Sequence, residues 1–414
     1  MKNRSALNLL FVANGISGFS QGISMLAIPW YFSRVQNAVY FNKAYAIITF
    51  IVLFFGLYAG TLVDKFSRKN NFLGNSLICG LLLCIIGGIG FYQQHLSELL
   101  VVAVFGITML NYNIHYPTLY AFGQEISVKE DYAKVNSNIE IVGQSTSILS
   151  GGIAALMLDG YTFQWGNTGL SINILKWEIW EIFLLNALTY FIAAALIVRI
   201  KYTPVPNKSA YLGIRQRVIQ GFSYLKQHPD LFVFGLFSYS VFAMLLVEVH
   251  AVLPVYVDHH LQEKGSVFAI ADGIYAIGAL LAGLFANKIF TGSSTRKAII
   301  LLSLLTGLIF IWAFATKAVW IIYTVSIILG FTNAGIRVLR LTYLFNHIPN
   351  ELMGRVNSIF NMLNILIRTL FIFIFSLPFF NFGNNVIWAY LIMAIFIIFS
   401  AAMLLMNKQK TTTS

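Results

Sequence analysis

The chain is dominated by long runs of apolar residues that carry almost no charge. Two of them are YAIITFIVLFFGLYAG, which begins at Tyr45, and NNVIWAYLIMAIFIIFSAAMLLM, which begins at Asn384. A helix needs roughly 20 apolar residues to cross a bilayer, and apolar and polar positions do not alternate here as they would in strands of a membrane barrel. The pattern predicts an all-α membrane protein. We number its spanning helices 1 to 12 and place them at about 8–34, 43–64, 70–92, 97–126, 130–158, 178–200, 231–257, 265–290, 296–316, 318–346, 352–379 and 383–406.

The composition agrees with this interpretation. Hydrophobic residues make up 58% of the chain and charged residues 10%, whereas soluble domains usually carry about 25% charged residues. The first apolar run, from Leu7 to about Trp30, is long enough to span and lacks a clear cleavage site, so we interpret it as a helix and not as a signal peptide. Cys79 and Cys84 lie on different faces of one helix, which predicts neither a disulfide nor a metal pair.

The net charge of +12 reflects membrane topology and not a nucleic-acid partner. With the N-terminus inside, 19 of the 27 Lys and Arg fall in the predicted cytoplasmic segments and five in the outside segments. The remaining three, Arg337, Arg340 and Arg368, fall inside helices. An excess of positive charge in cytoplasmic loops orients membrane proteins. The asymmetry therefore predicts that both termini are cytoplasmic.

Short motifs recur in the two halves of the chain. KEDYAKVNSNIE around 130–137 resembles NELMGRVNSIFN around 351–358, an offset of 221. Two further pairs recur in the same order at offsets of 223 and 225, namely GTLVDK with GLFANK and IPWYF with LPVYV. Chance similarity of apolar segments is the alternative. The recurrence predicts a duplicated six-helix unit, with one bundle at 1–200 and the other at 231–414.

The segment 201–230 separates the two predicted bundles. It begins with KYTPVPNK, whose prolines are typical of a linker. The following residues place Ile214, Val218, Phe222 and Leu225 on one helical face, with basic residues elsewhere. This pattern predicts an amphipathic helix at the inner membrane surface. Two parallel six-helix halves with a substrate site between them are a transporter architecture.

The segment between helices 2 and 3 resembles the signature of the major facilitator superfamily. The signature is a Gly, an Asp four residues later and then basic residues; the matching positions are Gly60, Asp64, Lys65, Arg68 and Lys69. Ser67 stands where the family usually has a Gly. GFSYLKQHPDL before helix 7 and PNELMGRVNS before helix 11 resemble the multidrug, macrolide and siderophore exporter branch. The resemblance implies twelve helices in two pseudo-symmetric bundles.

The resemblance also implies a conformational gate at the inner surface. A carboxylate at Asp64 can accept bonds from a helix N-terminus and pair with an arginine, and this contact would break when the halves rock apart. The gate residues implied in this way are Gly60, Asp64, Lys65, Arg68 and Arg355. A solvated cluster of charges that only sets topology is the alternative.

Helix 5 departs from the pattern of antiporters in the superfamily. These often carry a Gly-Pro pair in a Gly-rich helix 5, whereas here the segment GQSTSILSGGIAALM contains Gly143, Gly151 and Gly152 but no proline. Small residues at these positions would permit close helix packing.

Six ionisable residues lie within predicted helices: Glu140, Glu248, Asp272, Arg337, Arg340 and Arg368. A charge at the bilayer centre costs roughly 2.5–3.5 kcal/mol on insertion scales, so it usually faces a cavity or a partner. Glu248 and Asp272 have a similar predicted depth, and two carboxylates sharing a poorly solvated site suit proton uptake and release. We predict proton coupling by Glu248, Asp272 and Glu140, and a structural role for Arg340. The alternative is that each of these residues pairs only for structure.

Polar residues recur on one face of several helices. They are Asn14, Ser17, Gln21 and Ser24 on helix 1, Asn111, His115, Thr118 and Glu125 on helix 4, and Asn333, Arg337 and Arg340 on helix 10. In the superfamily, helices 1, 4, 7 and 10 line the central cavity. We therefore predict a substrate cavity formed by Asn14, Gln21, Asn111, His115, Asn333, Arg337 and Arg368. Hydrogen bonding between helices of a dry bundle is the alternative.

A metal site is disfavoured. Glu248 and His250 are two residues apart and point away from each other on a helix, and Asp258, His259 and His260 are interpreted as an aqueous outer loop. No nucleophile motif, phosphate loop or nucleotide-binding signature is present, so we expect no cofactor and no enzymatic activity.

Together these patterns predict a secondary transporter in a bacterial inner membrane. We expect a monomer that exchanges protons for a small organic solute, preferably in the export direction because of the branch resemblance. Two alternatives stay open: a proton-coupled importer of the same fold, and a transport-inactive membrane receptor. A channel suits duplicated halves with buried charges less well.

Overall fold

The computed structural model describes residues 3–128, 131–164, 171–201, 203, 214–289 and 294–406. Within these ranges, the side chains left undescribed are those at 57–65, 133, 161–164, 171–174, 214, 215, 217, 284–289, 345, 350, 351 and 354.

In the described part of the chain, 12 helices are long and apolar enough to cross a membrane. In order, they are Arg4–Arg34, Ala38–Lys65, Arg68–Gln93, Glu98–Glu125, Tyr132–Asp159, Ile179–Val198, Pro229–Leu261, Gly265–Ile289, Thr295–Ala315, Val319–His347, Asn350–Phe375 and Ile387–Met406. They keep the numbers 1 to 12. Large apolar side chains on their surfaces are exposed, such as Ile78 and Leu301, which suits contact with lipid. The predicted all-α membrane fold is confirmed.

Several helices begin where a polar side chain accepts a hydrogen bond from the first turn. Asn3 accepts from the Ala6 N–H at 3.0 Å, Ser67 from Asn70 at 3.2 Å, and Ser294 from Lys297 at 3.4 Å. Such caps satisfy donors that the helix itself leaves open. They explain why helices 1, 3 and 9 begin one to four residues before the predicted starts.

A short hairpin between helices 5 and 6 was not predicted. Strands Tyr161–Gln164 and Ser171–Ile174 pair antiparallel, with Tyr161 opposite Ile174 and Gln164 opposite Ser171. Strands of four residues are too short to give a clear alternating signal.

The chain divides into two compact units. The first comprises residues 1–209 together with 264–273, and the second comprises 210–263 together with 274–414. Helix 8 therefore contributes its first residues to the first unit and the rest to the second.

In the first unit, helix 1 packs against helices 5 and 6, helix 3 against helix 6, and helix 2 against helix 4. An apolar core joins them and includes Leu10, Phe72, Phe122, Val135 and Ile197. Burial of one such side chain in a water-soluble protein stabilises the fold by about 1.5–3 kcal/mol. In lipid, the stabilisation comes mainly from close packing.

In the second unit, helix 9 packs along helices 10 and 12. The linker contains a helix, Ile214–Gln227, which packs against helix 11. Gly221 lies against the Arg355 carbonyl and the Ile359 side chain. Leu225 is 2% exposed, whereas Phe222 is 40% exposed, so only part of the predicted apolar face is covered. Its placement at the membrane surface stays a prediction.

Helix 7 is longer and less regular than expected. Its α-helical segments Pro229–Ser238, Ser240–Val247 and Leu253–Val255 are joined by a turn at Tyr239 and by two wider π-helical segments, Glu248–Val252 and Tyr256–Leu261. One of these wide turns directly precedes Leu253–Val255, which contains Pro254, whose ring nitrogen cannot donate.

The predicted outer loop after helix 7 is wrong. Asp258, His259 and His260 form the last turn of the helix. His260 is 7% exposed, its ring packs 4.8 Å from Tyr256, and its Nδ1 lies 3.3 Å from Asn384 Oδ1. These contacts stabilise a helical turn of polar residues, whereas composition alone predicts an aqueous loop.

Two glycines allow helices 8 and 10 to cross closely. A Cβ on Gly278 would collide with the backbone of Ile327, and a Cβ on Gly330 would collide with the Tyr275 carbonyl oxygen. Glycine at such crossings lets two backbones approach each other.

We expect Gly330→Ala to lower the thermal unfolding midpoint in detergent, because the added methyl group must push helix 8 away. Overpacking of this kind costs about 1–3 kcal/mol or more. Gly283→Ala is the matched control, since a Cβ there meets nothing within 4 Å. Equal midpoints for the two variants would contradict the close crossing.

Candidate functional site

Helices 1 and 4 are joined by a buried polar pair. The Nε2 of His115 lies 2.9 Å from Asn14 Oδ1, and the two residues are 4% and 6% exposed. Because an amide oxygen only accepts, the ring donates from Nε2. The ring also packs 4.9 Å from Phe72. The structure therefore places Asn14 and His115, two of the predicted cavity residues, in direct contact.

Asn111, one turn away from His115, faces other helices. It accepts a hydrogen bond from Asn75 Nδ2 at 2.6 Å and donates to the Tyr190 hydroxyl. Asn111 and Tyr190 are both fully buried. Asn111 therefore links helices 3, 4 and 6 inside the first unit, as the dry-bundle alternative predicts, and its cavity role stays a prediction.

The polar stripe of helix 1 also divides between partners. Ser24 accepts from Asn186 Nδ2 of helix 6 at 3.0 Å. Gln21 is 2% exposed, and its Nε2 has no hydrogen-bond partner among the described residues. A buried amide donor in this state has an unmet capacity to bind.

Two of the predicted carboxylates contact helix 5 or belong to it. Glu140 of helix 5 accepts from the Tyr120 hydroxyl at 2.6 Å. Asp272 of helix 8 is half-buried and accepts from the Ser147 hydroxyl at 3.3 Å. Both contacts lie within the first unit, and in both the hydrogen bond comes from a neutral hydroxyl.

Helix 5 holds the first turns of helix 8 at two places. The Asp159 carboxylate accepts from the N–H groups of Gly265 at 3.1 Å and Ser266 at 2.5 Å. A carboxylate at a helix N-terminus satisfies open donors and complements the helix dipole. A Cβ on Gly151 would lie 2.7 Å from the Ala269 carbonyl oxygen. Of the three glycines noted in helix 5, Gly151 permits close packing, whereas Gly143 and Gly152 border open space.

In the second unit, Glu248 is 2% exposed and accepts from the Tyr390 hydroxyl of helix 12 at 2.9 Å. The Tyr390 ring packs 4.8 Å from that of Tyr256. Glu248 and Asp272 thus have different hydroxyl partners and belong to different units. Their predicted shared site stays a prediction.

The buried arginines of the second unit have distinct surroundings. Arg340 is 4% exposed, donates to the Ser238 carbonyl oxygen at 2.9 Å, and lies 3.5 Å over the Tyr239 ring. Arg368 is buried and interacts electrostatically with His250.

On helix 10, Arg337 is exposed, and Asn333 donates to the Tyr275 hydroxyl at 2.9 Å. Asn333 therefore links helices 8 and 10. The cavity roles predicted for Asn333 and Arg337 stay predictions.

The predicted gate is described only in part. Gly60, Asp64 and Lys65 are among the last six residues of helix 2, but side-chain contacts at these positions are outside the described part of the structure. Arg68 pairs with Glu125, with 3.2 Å between Nε and Oε1. Arg355 is half-buried on helix 11. The gate stays a prediction.

Lys69, another residue of the signature, has a local role. Its Nζ donates to the carbonyl oxygens of Val198 and Ile200 at 2.8 and 2.7 Å. Basic side chains near a helix C-terminus satisfy its last carbonyls.

The residues that the polar stripes missed are tyrosines. Tyr112 interacts electrostatically with Asp272, and Tyr116 with Glu140. Their spacing of four, continued by Tyr120, was a usable signal, but tyrosine also occurs in apolar cores and was not counted as polar.

Among the described residues, no group of three or more His, Cys, Asp or Glu is placed to hold a metal ion. The described spans of each unit instead carry hydrogen-bonded carboxylates, amides and phenols. Such groups bind a polar solute or exchange protons.

The 12 candidate spans of the described residues, with ionisable groups inside them, are typical of a polytopic membrane transporter. Residues 10–371 match the Major Facilitator Superfamily, and the chain belongs to that family, whose members move small solutes across membranes.

The chain is 23% identical over 374 residues to the enterobactin exporter EntS of Shigella boydii serotype 4 (strain Sb227), covering 88% of this chain and 83% of that protein. The same identity and coverage hold for EntS of Escherichia coli O6:K15:H31 (strain 536 / UPEC).

Solved structures show the same fold. A bacterial homologue of the human lysosomal transporter Spinster, in an inward-facing and unoccupied conformation, has a TM-score of 0.72 at 11% identity, covering 97% of this chain and 96% of that one. The nucleoside transporter NupG has a TM-score of 0.73 at 13% identity, with coverages of 97% and 98%.

Proposed function

We propose that this protein is a proton-coupled exporter of a small organic solute in a bacterial inner membrane, with both termini in the cytoplasm. The observation that carries the proposal is Asp272. This carboxylate lies in a membrane span, is half-buried, and accepts a hydrogen bond from a neutral hydroxyl, that of Ser147. An ionised carboxylate is unfavourable in such surroundings unless a cation balances it. A reversible proton is the simplest balancing charge.

The direction of transport is supported by similarity. The relatives named as enterobactin exporters are 23% identical to this chain over 88% of its length. This likeness favours export and a cargo of the siderophore class.

The charges support a cargo with anionic or zwitterionic character. The second unit carries Arg337, Arg340 and Arg368 within its spans, and the first unit carries Glu140 and Asp272. Charges of both signs within the spans favour a cargo that also carries both. The Gln21 amide supplies a further donor for a carbonyl or carboxylate.

The test is a cargo panel in proteoliposomes with an imposed pH gradient. The panel contains enterobactin, a citrate-type carboxylate siderophore, a lysophospholipid and a simple aromatic cation. We expect an anionic or zwitterionic member to accumulate when the lumen is acidic, because outgoing protons then drive its entry.

Reversing the gradient separates the alternatives. Accumulation only with an alkaline lumen would identify a symporter and overturn the antiport direction. Absence of flux for every member, in protein that unfolds cooperatively, would favour a transport-inactive receptor.

A further inference from the structure

The helix of the linker, Ile214–Gln227, has two sides of different character. On one side, a Cβ on Gly221 would lie 3.0 Å from a backbone oxygen of helix 11, and Leu225 is buried. On the other side, Ile219 is 55% exposed and Phe222 is 40% exposed. The helix therefore packs on helix 11 through one side, while two large apolar side chains on the other stay uncovered by the described residues.

A groove of about 630 Å³ lies beside these exposed side chains. Its first wall is the linker helix, and its second wall is the start of helix 7, which contributes Pro229 and Phe232. His228 alone separates the two helices, so the groove lies in the angle where they meet. The volume is within the range of about 300–1,000 Å³ that is usual for small-ligand sites. Helix 7 is a candidate membrane span, and lipid chains therefore reach the apolar wall at Phe232.

The groove carries positive charge at its rim. Lys226 lines it, is exposed, and forms no hydrogen bond or ion pair with the described residues. Asp230 lies in the first turn of helix 7 but does not line the groove. Between positions 201 and 229 the sequence has no Asp or Glu and has five Lys and Arg residues, namely Lys201, Lys208, Arg215, Arg217 and Lys226. Basic residues clustered beside a spanning helix attract anionic headgroups.

The combination of apolar walls and a cationic rim narrows the choice of occupant. A free phosphate ion would match Lys226 but would gain nothing from contact with Ile219 and Phe222. A second copy of this chain, packed through the same face about a two-fold axis, would bring two basic segments together, which is unfavourable. An anionic phospholipid supplies both the hydrocarbon chain and the negative charge.

We propose that this groove binds one anionic membrane phospholipid, with an acyl chain along Ile219, Phe222 and Phe232 and its phosphate at Lys226. The bound lipid joins the linker helix to the first turn of helix 7. The proposal requires the linker helix to lie at the membrane surface, as its sequence predicts. It is independent of the cargo and of the direction of transport.

Binding is measured by native mass spectrometry of the full chain in detergent, after bound lipid has been removed. The probes are dioleoylphosphatidylglycerol, which is anionic, and dioleoylphosphatidylcholine, which has the same chains and no net charge. We expect the first molecule of phosphatidylglycerol to bind about fivefold more tightly, which is the effect of one basic residue near an anionic headgroup. Glycerol 3-phosphate, which lacks the chains, should not displace it. Equal affinities for the two lipids, or displacement by glycerol 3-phosphate, would overturn the proposal.

Variants locate the site. We expect Lys226→Gln to weaken binding of phosphatidylglycerol about fivefold and to leave binding of phosphatidylcholine unchanged. Lys297→Gln is the matched control, since Lys297 is also exposed and lies in the first turn of helix 9. Ile219→Gln should weaken binding of both lipids, because the acyl chain loses an apolar contact. Ile219 and Lys226 are both exposed, so we expect the variants to fold, and thermal unfolding in detergent checks this.

Three further results would contradict the lipid site. The first is an unchanged affinity for phosphatidylglycerol in folded Lys226→Gln or Ile219→Gln. The second is an equal loss of affinity in Lys226→Gln and Lys297→Gln, which would show a general attraction by positive charge. The third is a dimer of the chain that dissociates in Ile219→Gln, which would identify a second copy as the occupant. None of these results bears on the transport function, which the cargo panel tests.

Discussion

Replacing Asp272 by Asn is expected to abolish accumulation of cargo driven by a pH gradient, with a loss of at least about tenfold. In the parent protein, Asp272 accepts a hydrogen bond from the Ser147 hydroxyl at 3.3 Å. The Asn side chain keeps an oxygen that can accept this bond, but it cannot take up and release a proton. Exchange of labelled for unlabelled cargo across the membrane, without a gradient, should persist. The two fluxes are measured in proteoliposomes with the cargo that the panel identifies.

The control for this variant is Glu263→Gln, which removes a carboxylate just beyond the end of helix 7. It should leave gradient-driven accumulation unchanged. If Asp272→Asn accumulates cargo like the parent protein, Asp272 does not couple protons and the main support for the proposed function is lost.

Arg340→Leu is expected to destabilise the protein by roughly 2–4 kcal/mol. The guanidinium donates to the Ser238 carbonyl oxygen, where the first segment of helix 7 ends, and stacks over Tyr239. Its removal leaves a buried carbonyl without that donor and a ring without its cation. Arg340→Lys should recover little, because an ammonium lacks the planar fork. Thermal unfolding in detergent gives the measurement.

Arg337→Leu is the matched control, three residues earlier on the same helix and exposed. Because Arg337 is not buried, we expect its replacement to lower the unfolding midpoint less than that of Arg340. A loss as large as that of Arg340→Leu would show that general charge removal, and not the Ser238 contact, controls stability.

The spanning helices could be predicted because lipid permits few alternatives to a continuous helix. Their ends could not be predicted as well, because the ends depend on single contacts. Asn3 starts helix 1 at Arg4 by accepting from Ala6. His260 prolongs helix 7 through contacts with Tyr256 and Asn384. Averaged hydropathy along the sequence does not reveal such contacts.

For the candidate site, the sequence could identify polar residues within the helices, but it could not predict which side chains they contact. Asn111 and His115 are one turn apart and share a predicted stripe, yet one contacts helices 3 and 6 and the other helix 1. A rotation of about 40° between them is enough to exchange neighbours in a tight bundle. Which neighbour lies on which side is set by packing, which helical periodicity does not encode.

Helix 7 also has a mechanical property. A π-helical turn is wound one residue wider than an ordinary turn, so tightening it to ordinary pitch twists everything beyond it by about 100°. Glu248, which accepts a hydrogen bond from Tyr390, is the first residue of the first wide turn, and Asp258 and His259 lie in the second. Tightening the first wide turn would therefore rotate the residues beyond it about the helix axis, while the chain there stays helical.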